Sequence, residues 1–219
     1  MRHIVWDWNG TLFDDLHIVV DSVNASLACF GEGPIDAVRY QAHYRRPVPL
    51  FYESLLGRPI SDGMWQTIDR VFHETYQGAL SRAELASDAL EAMDAVLAAG
   101  GTQSILSMWW HEQLVSAVEA FGLVGRTVFI EGHRGTPGET KAEHLTRHVA
   151  HLGERFSRTV ATPIVAIGDI TDDAAAADAA EVGCVLYDSG SQPTAVLEAA
   201  GHPVAASLME AVRLAGISL

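Results

Sequence analysis

In the stretch DWNGT, residues 7–11, a carboxylate closes an apolar run and is followed by an amide, a glycine and a hydroxyl. Asp7 is a candidate nucleophile. Gly10 lets backbone approach a ligand closely, and the Thr11 hydroxyl can hold an anionic oxygen. Asn9-Gly10 is equally a turn dipeptide, so the stretch taken alone reads as a strand end as readily as a site. Much further on, GDITDD, residues 168–173, sets Asp169, Asp172 and Asp173 directly after another apolar run. Carboxylates so close repel and raise one another's pKa unless a cation or dipole compensates. Oxygen-only donors suit a hard divalent ion, Mg²⁺ first among them. An acidic first helical turn, favoured by the helix dipole, is the competing reading of Asp172 and Asp173. Between these segments stand Ser107, before a helix expected near His111, and Lys141, near the start of another. Each can contact phosphate, and each is as readily a cap or a solvated side chain.

The elements that must position these residues follow from the apolar runs. HIVW (3–6), SILS (104–107), TVFI (127–130), IVAIG (164–168) and VGCVLY (182–187) alternate with turn residues and helical patterns. Alternation of that kind predicts parallel strands joined by crossover helices. In such open sheets the carboxyl ends of the strands are where ligands bind, and the candidate residues lie at or near those ends. Leu114, Val115, Val118 and Phe121 recur at helical spacing with Gly122 to end the helix, and a second helix is expected over about 84–99, stopped by paired glycines. Between 16 and 83 no strand pattern appears. Val19, Val23, Leu27 and Phe30 trace one helical face, and helical pieces continue through DAVRYQAHYRR, LFYESLLG and MWQTIDRVFHETY. The expected fold is α/β: a Rossmann-like parallel sheet core flanked by helices, from 1–15 and 84–219, with an inserted α-helical cap domain at 16–83.

Composition narrows the partner. The 219 residues are 48% hydrophobic, enough for a sizeable core, and carry a formal charge of −14 from 28 acidic and 14 basic residues. That balance argues against nucleic acid and anionic membrane and favours a small solute. Cys29 and Cys184 are alone in sequence and fit neither a zinc spacing nor a disulfide framework, and no signal-peptide or membrane-span pattern is seen. A cytoplasmic protein, monomer or homodimer, is the expectation.

The chain order of acid, hydroxyl, lysine and acid pair resembles the haloacid dehalogenase superfamily over essentially the full length. DWNGT matches its first motif, Ser107 its second, Lys141 its third and GDITDD its fourth, with Asp169 and Asp173 at the matching acids. The helical insert matches the superfamily's cap of the first type, and the chain looks most like the phosphoglycolate phosphatase-like group. The resemblance implies that Asp7 attacks phosphorus to form an aspartyl-phosphate. It implies Mg²⁺ held by Asp7, the backbone carbonyl of Asn9 and Asp169, with Asp173 supporting the site. Ser107 and Lys141 would contact phosphoryl oxygens, and Lys141 would keep Asp7 ionised.

Asn9 departs from the pattern. Phosphatases of this superfamily carry a second Asp there, as acid toward the leaving group and base toward water, and an amide does neither. General acid–base help is worth about 10²–10⁴ in rate, so slow turnover, a long-lived aspartyl-phosphate or a leaving group that needs little protonation is expected. Asn before Gly is also prone to deamidation, which would turn part of the Asn9 into Asp. The alternatives are phosphotransfer or dehalogenation within the superfamily, and a phospho-ligand-binding relative without turnover. A receiver domain, which also uses an Asp, a hydroxyl and a Lys, places its acids in the reverse order.

Smaller signals remain. Arg45 and Arg46, with Tyr40, Tyr44 and Tyr52 nearby, can grip a substrate carboxylate or second phosphate from the cap, or simply end a helix in solvent. Trp109 and Trp110 can line the entrance or pack beneath the cap. His144, His148 and His151 share a helix face that reads as exposed, with no acidic partner in reach. Trp65, Phe72 and Tyr76 read as cap core.

Overall fold

The computed structural model describes residues 2–135, 138–155 and 163–218. The chain begins with strand β1 (His3–Trp6), then a two-residue strand β2 (Phe13–Asp14) and four helices, α1 (Leu16–Ala28), α2 (Ala37–His43), α3 (Val48–Leu56) and α4 (Asp62–Ala79). Strand β3 (Glu84–Leu85) and helix α5 (Ala89–Ala98) lead into β4 (Thr102–Trp110), α6 (His111–Ala120), β5 (Phe129–His133) and α7 (Lys141–Arg155). Then come β6 (Ile164–Gly168), α8 (Thr171–Ala179), β7 (Gly183–Tyr187), α9 (Thr194–Ala199), β8 (Val204–Ala205) and α10 (Leu208–Leu214).

Six strands form one parallel sheet in the order β5-β4-β1-β6-β7-β8. β1 lies between β4 and β6, with His3 opposite Thr102 on one side and Ile164 on the other. Every residue of β1 is buried, as expected for a central strand covered on both faces. One face packs Ile4, Trp6, Ile105 and Ile167 against Met93 and Val96 of α5, Leu114 and Val118 of α6, and Val212 of α10. The other packs Val5, Leu106 and Ala166 against Leu145 and Leu152 of α7 and the small Ala174, Ala176 and Ala177 of α8.

Helices α1 to α4 have a core of their own, built from Val20, Val23, Leu27, Tyr40, Phe51, Tyr52, Leu55 and Ile68. Polar side chains start two of them: Asp36 accepts from Arg39 N, and Ser61 from Met64 N. The entry and exit of this helical insert are tied together by antiparallel pairing of β2 with β3, Phe13 opposite Leu85 and Asp14 opposite Glu84. The architecture is thus α/β, a Rossmann-like parallel sheet flanked by helices with an inserted helical cap.

Three local expectations need correction. The helix expected from 84 starts at Ala89, because Glu84 and Leu85 are recruited into the neck ribbon before Asp88 turns the chain. The strand expected at TVFI is β5, which runs over Phe129–His133, two residues beyond the start of that run, after a short 3₁₀ turn at Val124–Arg126. The histidines of α7 are not an exposed set: His144 and His148 are fully buried, and only His151 reaches solvent.

The acidic partner missing from sequence is Glu131 of β5. Its Oε2 meets His148 Nδ1 at 2.7 Å, its Oε1 lies 3.8 Å from His144 Nε2, and Arg147 adds a contact at 3.3 Å. His148 continues through Ser104 (2.8 Å) to His3 (2.9 Å), a buried polar chain crossing the sheet. Burial raises the Glu131 carboxyl, but His148, His144 and Arg147 outweigh it and hold the group at about 2. Burial, helped by the charge of His148, pulls His3 from 6.5 down to about 4. Burial pulls His144 to about 4 as well, against the attraction of Glu131.

Between 6.5 and about 4 these two histidines bind protons in the unfolded chain that they refuse in the folded one, so their contribution to stability falls as pH falls. The loss is up to about 3 kcal/mol for each of the two histidines. Burial raises the Asp7, Asp15 and Asp169 carboxyls, which shift stability the opposite way over this range, so the variant difference is the readout: urea titrations are expected to show the midpoint of His144→Gln rising relative to wild type between neutral pH and about pH 5. A difference between the two proteins that does not change with pH would contradict a neutral His144.

Candidate active site

The loop after β1 carries Asp7, Asn9 and Thr11. Asp7 N donates to Ile167 O at 2.8 Å, which holds the start of the loop against β6. Gly10 has φ +73, and a Cβ there would lie 2.1 Å from Asp169 Oδ2 and 2.9 Å from Ser191 Oγ. Only glycine allows this loop and the β6 loop to approach so closely. Gly10→Ala is expected to abolish whatever the site does and to destabilise by more than the roughly 1 kcal/mol of a left-handed L-residue, since Asp169 must move. Thermal melts and a ligand-binding or turnover assay read both effects.

Lys141, the first residue of α7, reaches between two carboxylates: Nζ lies 3.0 Å from Asp7 Oδ1 and 2.5 Å from Asp173 Oδ1. Asp173, in the first turn of α8, also accepts from the backbone N–H groups of Asp169 (3.2 Å) and Ile170 (3.1 Å), so it caps the helix and holds the lysine at once. Asp7, Asp169 and Asp173 each offer an oxygen within 4.8 Å of the others, all buried. Burial raises the Asp7 carboxyl to about 7 against the pull of Lys141, with Asp173 adding to the rise. Asp169 is raised well above its ordinary value, again by burial first and then by Asp7 and Asp173. Burial disfavours the Lys141 ammonium, but Asp173 and Asp7 outweigh it and keep it charged.

Three carboxylates against one lysine leave buried negative charge uncompensated. A hard divalent cation fits that deficit, because the donors are all oxygens and already converge. The Thr11 hydroxyl, fully buried, donates to Asp169 Oδ1 at 3.3 Å, and Ser189 Oγ to Oδ2 at 3.2 Å. Thr11 therefore orients the acid here.

Asp7, Asn9, Ser107, Lys141 and Asp169 line one cavity of about 710 Å³, together with Arg46 and Trp109. Ser107 lies inside β4, which runs on to Trp110 with a register irregularity beyond Ser107. Its oxygen accepts from Trp109 N at 3.0 Å, and the hydroxyl stands 3.5 Å from Asn9 Oδ1. Arg46 closes the cavity from the cap, 3.6 Å from Asp172 and 3.3 Å from the Tyr44 hydroxyl. Arg45 is not brought to the cavity: its guanidinium turns back to His43 O and Ser54 Oγ. Trp109 stacks on Phe13 at 6.0 Å and meets Tyr76 edge-on at 6.4 Å, while Trp110 is half exposed beside His133. A further cap-to-core hydrogen bond runs from Gln41 to the Gly190 carbonyl.

Sequence reasoning missed Asp15 and Tyr76. Asp15 is buried on the cavity wall, and its carboxylate accepts from Asn9 Nδ2 (2.8 Å), Gly10 N (3.0 Å) and the Tyr76 hydroxyl (2.5 Å). Burial raises Asp15, opposed by the bonds from Tyr76 and Asn9. The only signal was a second acid in FDD, next to Asp14, which faces solvent. Tyr76 is more than cap core, since its hydroxyl joins α4 to the β1 loop. The same bonds oppose deamidation: Gly10 N, the atom that must attack the Asn9 side chain, is held by Asp15 Oδ1 and Phe13 O.

No family model and no curated protein matches the sequence. Solved structures do. A predicted phosphatase from Clostridium acetobutylicum superposes with a TM-score of 0.77 at 15% identity, covering 97% of this chain and 96% of its own. A haloacid dehalogenase-like family hydrolase from Streptococcus pneumoniae gives 0.76 at 16%, covering 97% of both chains. A structure assigned as beta-phosphoglucomutase from Thermotoga maritima gives 0.71 at 13% over 100% of both. The chain therefore has the fold of the haloacid dehalogenase-like hydrolases, core and cap together, along its whole length. Among the described residues, no helix is long and apolar enough to cross a membrane.

Proposed function

We propose that the chain is a Mg²⁺-dependent phosphatase acting on a small phosphorylated metabolite through an aspartyl-phosphate, with residues 1–15 and 84–219 as core and 16–83 as cap. The observation that carries the proposal is the buried meeting of Asp7, Lys141 and Asp169, which line the cavity, with Asp173 behind Lys141. Similarity to structures named as phosphatases supports the same reading.

Asp7 presents a carboxylate at the carboxyl end of β1, and Lys141 favours its ionised form and binds a phosphoryl oxygen. Ser107 donates to a second phosphoryl oxygen. Asp7, Asp169 and the Asn9 backbone carbonyl would hold Mg²⁺, with Asp173 beside them. When bound, the ion offsets negative charge between carboxylate and phosphate and orients the phosphoryl group. Arg46, facing the cavity from the cap, suits a carboxylate or second phosphate on the substrate. Asn9 leaves the site without its usual proton carrier, so turnover is slow.

That substitution also favours a second reading, a phospho-ligand-binding protein without turnover. Phosphotransfer shares the need for the missing acid, and dehalogenation leaves the cluster from Asp169 to Asp173 without a use. Phosphate release from an ester panel, with and without Mg²⁺, tests the choice in wild type, Asp7→Ala and Asn9→Asp. Mg²⁺-dependent release lost in Asp7→Ala is expected. Release that survives Asp7→Ala refutes the nucleophile, and release seen only in Asn9→Asp establishes the binding protein.

A further inference from the structure

The Asn9 carboxamide is held from two sides. Its Nδ2 donates to Asp15 Oδ2 at 2.8 Å and to the Tyr76 hydroxyl oxygen at 2.9 Å, while Tyr76 donates its own hydrogen to Asp15 Oδ2 at 2.5 Å. An amide nitrogen has two hydrogens, and both are spent. What Asn9 presents to the cavity is Oδ1, on the side of Ser107. Flipping the carboxamide would set its oxygen against the Asp15 carboxylate and against a Tyr76 oxygen whose hydrogen is already given. That exchange loses two buried hydrogen bonds and adds repulsion. Both Asp15 oxygens are occupied by donors, so its carboxylate is committed to this lock.

We propose that Asp15 and Tyr76 are positioning residues that fix Asn9 as a hydrogen-bond acceptor only, and that the substrates are accordingly phosphoryl compounds whose leaving group departs as a stable anion. Acyl phosphates, phosphoanhydrides and aryl phosphates belong to that class; alkyl phosphate esters do not. The inference rests on the phosphatase reading above.

In the first half-reaction an Asp7 oxygen bonds to phosphorus as the bond to the departing oxygen breaks. The electron pair leaves on that oxygen as carboxylate, phosphate or phenolate, and no proton moves. In the second half a water oxygen bonds to phosphorus, the electron pair of the Asp7–phosphorus bond returns to the carboxylate, and dihydrogen phosphate departs with both water hydrogens. Asn9 Oδ1 accepts a hydrogen bond from that water and orients it. An alkoxide has no such exit, since its departure needs the acid that residue 9 lacks. Tyr76 comes from the cap helix α4, so the lock is complete only with the cap seated on the core.

The test is a leaving-group series with Mg²⁺: acetyl phosphate, pyrophosphate and p-nitrophenyl phosphate against glycerol phosphate and phosphoglycolate. Wild-type kcat/KM is expected to favour the first three by about 10²–10⁴, the factor a general acid supplies. Asn9→Asp should raise the alkyl esters selectively and flatten the series. Tyr76→Phe, which keeps the ring but frees one amide hydrogen, should lower kcat on acetyl phosphate with KM little changed; Asp15→Asn should do the same if it folds. Equal wild-type rates across the series, or an Asn9→Asp gain uniform across it, would overturn the inference while leaving Asp7-dependent release intact. No Asp7-dependent release from any compound would overturn the phosphatase reading, and this inference with it.

Discussion

Asp7→Asn is expected to abolish phosphate release and, in metal-free buffer, to raise the melting temperature. The first effect follows if Asp7 is the nucleophile proposed above, since removing the nucleophile in enzymes that form covalent intermediates costs roughly 10⁵-fold or more. The second follows from the neighbourhood: Asp7 is one of three buried carboxylates sharing one lysine, and burial raises its carboxyl from 3.8 to about 7. A folded-state value above the unfolded one means that the native chain binds the proton more tightly. Between those values stability falls as pH rises, and at neutral pH the ionised group is a cost. The neutral amide removes that cost, by about 1 kcal/mol or more, which corresponds to about 2–4 °C at this chain length. The gain should shrink as pH falls and vanish only below 3.8, where the carboxyl is neutral in both states. A site residue whose loss kills activity and stabilises the fold is the signature of function held against stability. A variant both inactive and less stable would show instead that Asp7 is a structural anchor.

Lys141→Met is expected to have the opposite sign on stability. The ammonium is nearly buried and contacts Asp7 and Asp173 at 3.0 and 2.5 Å. Its removal leaves three buried carboxylates facing one another, and breaking a buried ion pair from one side costs about 3–5 kcal/mol. The melting temperature should fall by on the order of 10 °C. Added Mg²⁺ should restore part of the loss, because an ion that binds only the native cluster stabilises it by mass action. Phosphate release should be lost with or without the ion, since the contact proposed between the lysine and the phosphoryl group is gone. A melting temperature unmoved by the substitution would fit a solvated lysine and contradict the geometry.

Sequence reading went furthest where one residue type has one physical use. IVAIG is the observed β6 residue for residue, and HIVW the observed β1, because short apolar runs between turn residues leave few other options. Asp7, Lys141, Asp169 and Asp173 converge because parallel strands bring their carboxyl ends together, a consequence of topology that spacing alone conveys. The contacts that escaped notice depend on side-chain direction. Nothing in FDD tells Asp15, turned in under Asn9, from Asp14, turned out. Nothing in the helical spacing of His144 and His148 announces a buried Glu131 on a neighbouring strand. Arg45 and Arg46 look alike in sequence, yet only Arg46 faces the cavity, because Arg45 folds back on the end of α2. The neck ribbon consumed the start of the expected 84–99 helix through pairing across the whole insert, which no local window contains.

Whether Asp7 carries the phosphoryl group is decided most directly by trapping it. Wild-type protein with Mg²⁺ and ³²P-labelled acetyl phosphate, quenched in acid during turnover and digested, should yield one labelled peptide, the one containing Asp7. The label should be stable in acid, labile in base, and missing from Asp7→Asn. Because Asn9 provides no base for the water, it should also accumulate toward one phosphoryl group per chain. Phosphate released at the same rate with no label on that peptide, or label on another residue, would contradict the assignment.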